Sequence, residues 1–307
     1  MQDHHHTGEH SQGHHHTPTD FGWRFMVAVV LNLIFVVVEA LFGFAVHSLA
    51  LVADAGHNLS DVLGLALAWG ALALSNRAPS SRHTYGMRRS SILAALFNAL
   101  FLLFAIGAIA WEAIQRFSHP EPVSGWTVVI VALIGIAVNG VTTLLFASGQ
   151  KEDLNVRAAF LHMAADTAVS AGVVLGGLLI LYTQWYWIDP VLSLAIAIII
   201  FWGTWGLLRE SVDLSLDAVP TSIDPQKVKV FLEAWSGVIE VHDLHIWALS
   251  TTEPALTAHL VIPNHDHDDE RIQKISQALT TEFGISHSTL QIECGSVPCP
   301  FASEETL

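Results

Sequence analysis

The chain has 307 residues, 52% of them hydrophobic and only 13% charged, where an ordinary soluble protein carries about 25% charged residues; a single water-soluble globule is a poor fit. The net charge is −15, and from Glu210 onward 16 Asp and Glu stand against four Lys and Arg, which argues against nucleic acid as a partner and suits a cation. Cys294 and Cys299 are the only cysteines, too few for a disulfide framework; they read as thiols or weak metal ligands.

Residues 1–20 form a polar tail bearing His4, His5, His6, His10, His14, His15 and His16. It has no signal-peptide pattern, and such a tract binds metal loosely without folding. Its two His triplets are interrupted by Gly, Thr, Ser and acids, so a native cytoplasmic tail is preferred to an affinity tag.

Residues 21–208 contain six apolar stretches, each near the about 20 residues that cross a bilayer: 24–45, 49–74, 91–117, 126–147, 158–182 and 187–208. The expected fold is therefore a polytopic α-helical membrane protein of six transmembrane helices. Cytoplasmic loops retain Lys and Arg. Arg24, Arg77, Arg82, Arg88, Arg89, Lys151, Arg157 and Arg209 fall on one side, and Arg116 alone on the other. Both termini are then cytoplasmic, and Trp126, Trp185 and Trp187 lie at the opposite interface.

Residues 209–307 read as a soluble cytoplasmic domain. Asp224-Pro225 is an N-cap followed by Pro at the first helical position, with the helix expected to stop at Gly237. Strands are expected over 238–249, 255–262 and 288–294, and a second helix over 269–283. This α-β-β-α-β order predicts a small α+β domain resembling half of a ferredoxin-like sandwich.

Chemistry concentrates in the second and fifth spans. His57 and Asp61 are four residues apart, and so are His162 and Asp166; that spacing puts each pair on one helix face. Ionisable groups at membrane depth are costly and usually mark a pathway. Two nitrogens and two carboxylate oxygens make a tetrahedral set suited to zinc. The alternative for a single His-x-x-x-Asp is a satisfied polar cluster between helices, but two copies on separate spans weigh against it. Asp54 shares the face of His57 and is read in an access or structural role. Asn32, Asn98 and Asn139 read as interhelical hydrogen-bonding groups. Glu39 is either protonated or lines the cavity. In the soluble domain His242, His245, His259, His287 and Glu293 could reach metal, and the acidic run 265–269 reads as a solvated turn.

Several runs resemble the cation diffusion facilitator family, in its zinc-transporting branch. They are Ser48-Leu49-Ala50-Leu51-Val52-Ala53-Asp54-Ala55-Gly56-His57 with Asp61, Asn155-Val156-Arg157-Ala158-Ala159 leading to His162 and Asp166, Arg82-His83-Thr84-Tyr85-Gly86, Val241-His242-Asp243-Leu244-His245-Ile246-Trp247, and Gln291-Ile292-Glu293. The resemblance covers the chain after the tail. It implies a homodimeric metal/proton antiporter of the bacterial inner membrane, with a transport site at His57, Asp61, His162 and Asp166. It also implies a second, cytoplasmic metal site using His242 and His259, with Glu293 where some relatives have His. His57, where some members have Asp, points to zinc. Some members hold a further site in the loop after the second helix; only His83 remains of it here.

The expected activity is export of cytoplasmic Zn²⁺ in exchange for protons by alternating access, a secondary active transporter rather than an enzyme. Moving one charge against 100 mV costs about 2.3 kcal/mol, so outward Zn²⁺ costs about twice that, and an incoming proton offsets part. Two rivals are a membrane-embedded zinc enzyme and a metal sensor without transport. The first wants an open coordination position and a general base, and no His-Glu-x-x-His occurs. The second leaves the buried ligands without a purpose.

Overall fold

The computed structural model describes residues 22–75, 77–147, 154–263, 269–297 and 299. The His-rich tail, Lys151 and the 265–268 run lie outside them, as do the side chains of Arg24, Arg157 and His162.

Six long helices come first: α1 (Gly22–Ala45), α2 (Leu49–Ser75), α3 (Ser90–Ser118), α4 (Gly125–Ala147), α5 (Leu154–Thr183) and α6 (Ile188–Ser215). Over their described residues α3, α4, α5 and α6 are each long and apolar enough to cross a membrane, and α1 adds the shorter apolar stretch Val29–Ala45. In α2 the polar residues Asp54, His57, Asn58 and Asp61 interrupt the apolar run. The bundle turns its large side chains outward: Phe104 is 78% exposed and Trp202 70%. Apolar surface on that scale suits lipid, not water. Inside, helices meet at small residues, as bundles in lipid do. A Cβ on Gly135 of α4 would lie 2.7 Å from Phe35 Cζ, and one on Gly177 of α5 2.8 Å from Val129 Cγ2.

The helix bounds match those of the expected stretches to within a few residues except at α6, which continues seven residues past Leu208 to Ser215. The extension, Arg209 to Ser215, is polar but breaker-free, so nothing in it stops the helix.

Two contacts fix the end of the bundle opposite the soluble domain. Asp189 of α6 caps α2 across the helix boundary: it accepts from Ser48 Oγ (2.6 Å), Leu49 N (2.8 Å) and Ala50 N (3.3 Å). The two amides are orphans of a helix start, and leaving such a donor unsatisfied in a buried place costs about 1–3 kcal/mol. Arg116, the lone cation expected on that side, is a structural clamp. It pairs with Glu112 (3.1 Å) and Glu121 (3.5 Å) and donates to the carbonyl of His47. His47 adopts φ 56° in the turn between α1 and α2.

The soluble domain follows as α7 (Pro225–Glu233), β1 (Glu240–Ala248), β2 (Pro254–Val261), α8 (Asp269–Phe283) and β3 (His287–Glu293). Asp224 accepts from Gln226 N (3.0 Å) and Lys227 N (3.4 Å), the cap its sequence predicts. Helix α7 ends at Glu233, earlier than Gly237. The chain closes into tight turns instead, with Trp235 N donating to Leu232 O and Val238 N to Trp235 O. Gly237 takes φ +87° on the way into β1, a conformation that favours glycine. The sheet order is β1-β2-β3, with β1 and β2 antiparallel and β2 and β3 parallel. One face packs Leu256, Ala258 and Leu260 against Val228 and Leu232 of α7 and Ile275 and Leu279 of α8.

The two parts are joined by more than the chain. Arg88 pairs with Glu253 (3.3 Å), Arg89 with Asp217, and Thr251 N donates to Ser91 Oγ (3.1 Å). Beneath these, Ile92 of α3, Leu214 of α6 and Ala248 of β1 form a small buried cluster.

Candidate metal centres

The cap on α2 sets where that helix starts, and so where His57 and Asp61 stand two to three turns further on. From α5, Asp166 reaches across to them and is almost fully buried. His57 Nε2 lies 3.2 Å from Asp166 Oδ1 and 3.7 Å from Asp61 Oδ2, and the ligand atoms of all three fall within 4.8 Å of one another. A tetrahedral zinc with bonds of about 2.0–2.3 Å has ligand–ligand edges of about 3.3–3.8 Å. The His57 separations are of that size. The side chains of His57 and Asp61 are 20% and 28% exposed, so the cluster is open along one side. His162 lies in α5 one turn before Asp166; its side chain is outside the described residues.

Behind this cluster sit two further acids. Glu39 of α1 and Asp54 of α2 are both fully buried. Glu39 accepts from Asn58 Nδ2 (3.4 Å) and Asp54 from Ser170 Oγ (3.1 Å). Asn98 accepts from Ser60 (3.4 Å), an interhelical bond of the kind expected for it, and Asn32 reaches Met163; the Asn139 side chain, expected to do the same, makes no hydrogen bond to the described residues. His83 is exposed in the turn between α2 and α3, where its carbonyl accepts from Ser80 N and Gly86 N; it belongs to neither ligand cluster of the described residues.

The second cluster lies on the sheet face away from the helices. His242 of β1 stands directly opposite His259 of β2, and Glu293 of β3 lies on the same side, two residues beyond the partner of His259. A bulge between His242 and His245, with Asp243 at φ 51°, makes this possible. The extra residue keeps Val241, Leu244 and Ile246 in the core while His242 faces the other way. Glu293 bridges the imidazoles, 3.0 Å from His259 Nδ1 and 3.4 Å from His242 Nε2. Burial raises the Glu293 pKa, but hydrogen bonds from Cys299 and Gln291 and the charges of His242 and His259 outweigh it, so the carboxyl titrates below its ordinary value. Cys299 completes the set, with Sγ 3.5 Å from His259 Nδ1. Two nitrogens, one oxygen and one sulfur suit zinc. The sequence marks Cys299 as a thiol or weak metal ligand, but nothing in its spacing ties it to His259, forty residues earlier. His245 points elsewhere, to Asp243 at 3.0 Å, and His287 stacks edge-on against Tyr85.

An apolar helical bundle with ionisable residues gathered between two of its helices, joined to a small α+β domain, defines a polytopic membrane protein built around a part-buried cation-binding cluster. The comparisons agree. Residues 25–214 match the cation efflux transmembrane domain, and residues 220–294 the cation efflux protein cytoplasmic domain. The chain belongs to the cation efflux family, the cation diffusion facilitators. It is 38% identical over 288 residues to zinc transporter ZitB of Escherichia coli, covering 92% of this chain and 91% of that protein. It is 35% identical over 274 residues to the metal cation efflux system protein CzcD of Cupriavidus metallidurans, covering 89% and 86%. To the cadmium, cobalt and zinc/H(+)-K(+) antiporter of Bacillus subtilis it is 32% identical over 286 residues, covering 92% of each. A solved metal-bound C-terminal domain of a CzcD transporter is 36% identical, covering 23% of this chain and 99% of that one, with a TM-score of 0.21.

Proposed function

We propose that this chain exports Zn²⁺ from the cytoplasm in exchange for protons, carrying the ion at His57, Asp61, His162 and Asp166. The observation that carries the reading is the cross-helix cluster: an imidazole and two carboxylates from α2 and α5, at separations that fit a tetrahedral ion. Zinc needs neutral imidazole and ionised carboxylate, so metal and proton compete for the same groups. Rocking of α2 and α5 against their neighbours would present the cluster to one side and then the other. We place the chain in a bacterial inner membrane as a homodimer, with both termini and the α+β domain in the cytoplasm; the match to a cation efflux protein cytoplasmic domain supports the placing of the α+β domain, and the bacterial sources of its relatives support the membrane. Zinc flux into sealed vesicles holding the purified protein tests the reading. Absence of flux with intact zinc binding would leave the sensor alternative standing, and zinc-dependent hydrolysis would favour the enzyme.

The cytoplasmic cluster of His242, His259, Glu293 and Cys299 is read as regulatory. Four protein donors close a zinc site, which leaves no position for a reacting water. The domain is strongly acidic, so two copies repel, and bound zinc would lower that repulsion. Its ties to the bundle through Arg88, Arg89 and Ser91 would pass the change to α3 and α6. In the full-length protein, His259→Ala should remove about one tightly bound zinc per chain and leave flux at saturating zinc nearly intact. Equilibrium zinc titration checks this; an unchanged stoichiometry would remove the second site.

A further inference from the structure

The carboxyl groups of Glu39 and Asp54 are both fully buried, and they are neighbours: Glu39 accepts from Asn58, one turn beyond Asp54 on the same face of α2. Each acid spends one oxygen on a neutral donor: Glu39 Oε2 on Asn58 and Asp54 Oδ2 on Ser170. The other two oxygens, Glu39 Oε1 and Asp54 Oδ1, are buried with no donor. Orphaned buried acceptors call for an explanation.

A cation does not supply it. Helices α2 and α4 contain no Lys or Arg; the one Arg within α3, Arg116, is spent on Glu112, Glu121 and the His47 carbonyl, and the one within α6, Arg209, pairs with Asp213. The only one on α1 is Arg24, fifteen residues before Glu39, about 22 Å along a helix. On α5 it is Arg157, thirteen residues before Ser170, about 20 Å away. The titratable groups beside the pair are His57, one turn after Asp54 on α2, and Asp166 of α5. Two ionised carboxylates packed side by side at full burial, with no cation facing them, are strongly disfavoured. One proton between them gives both orphaned oxygens a partner and halves the charge.

We propose that Glu39 and Asp54 together hold a single proton, next to the metal ligands but separate from them, and that a divalent cation arriving at the His57–Asp61–Asp166 cluster drives this proton off. The inference rests on reading that cluster as the zinc site. Asp54 lies one turn before His57 on the same helix face, so the incoming charge of two acts on the pair at short range. The balance is simple. Before binding, the pair carries one proton and a charge of minus one. After binding it carries none and a charge of minus two, and the proton leaves to water through the cluster, where His57 and Asp61 are part-exposed. The pair thus becomes a proton-carrying element of the exchange cycle that contributes no bond to the metal. If it served only to pin α1 to α2, its proton would stay in place whether or not metal was bound.

The test counts protons released per zinc bound. Wild-type protein and E39Q are titrated with zinc alone, in two buffers of different ionisation enthalpy at about neutral pH. Gln keeps the hydrogen bond and removes the exchangeable proton, so E39Q should still bind zinc but release about one proton fewer per ion; E39D should restore the wild-type count. D54N is read the same way if E39Q does not fold. A wild-type proton count in either folded variant overturns the proposal. Infrared difference spectroscopy of the wild-type protein gives an answer that needs no variant: a protonated-carboxyl band should disappear on adding zinc, and its persistence at saturating zinc overturns the proposal. Failure of the wild-type protein to bind zinc at all would instead strike the reading of the cluster itself.

Discussion

Asp166→Ala should abolish zinc transport while leaving a folded protein. Asp166 is the one described ligand from α5. It is almost fully buried, and its carboxylate lies 3.2 Å from His57 Nε2, so no water on the protein surface can take its place without opening the helix contact. Loss of groups that merely orient metal ligands costs about 10–100-fold in affinity; losing a ligand should cost at least the upper end of that range. The fold should survive, because His57 keeps Asp61 as a partner when Asp166 is removed. Flux in proteoliposomes, alongside size-exclusion and thermal-melting controls, decides the matter. Near wild-type flux in folded Asp166→Ala protein would refute the site.

The second large effect is on selectivity. His57 supplies the only described nitrogen of the transport cluster and sits between both carboxylates, 3.7 Å from Asp61 and 3.2 Å from Asp166. His57→Asp would make the described part of the site all oxygen. Imidazole suits zinc, whereas carboxylate sets suit harder ions such as manganese. The zinc preference over manganese should fall by roughly tenfold, equivalent to about 1.4 kcal/mol, and cadmium should also enter more readily. A competition assay with both metals present measures the ratio directly; an unchanged ratio would show that selectivity is set outside the coordination shell.

The parts of the molecule legible in sequence were those written in local spacing. His57 and Asp61 announced a shared helix face because i and i+4 always share one. Asp224-Pro225 announced the start of α7, and α8 falls on residues 269–283 as its pattern predicts. What could not be read were contacts made between elements. Asp189 looks like an ordinary helix-start acid beside Pro190, yet its carboxylate caps a different helix 140 residues earlier. Glu39 and Asp54 gave separate signals of buried acidity, but nothing in their fifteen-residue spacing, which spans the turn at His47, shows that α1 and α2 press them together. Arg116 looked like an exception to the distribution of basic residues and proved to be a clamp on that same turn. The bulge at Asp243 was hidden for a related reason. Val241 and His242 are adjacent and both buried, a pattern that simple strand alternation does not produce.

Zinc entry into proteoliposomes under an imposed pH gradient tests the central claim most directly. Purified wild-type protein is reconstituted with a zinc indicator and a pH indicator in the lumen, and zinc is added outside. Proton exchange predicts that an acidic lumen accelerates zinc entry and that the lumen becomes more alkaline as zinc arrives. Both signals should vanish in Asp166→Ala. Zinc entry at the same rate with and without the gradient, and with no proton counterflow, would contradict the account.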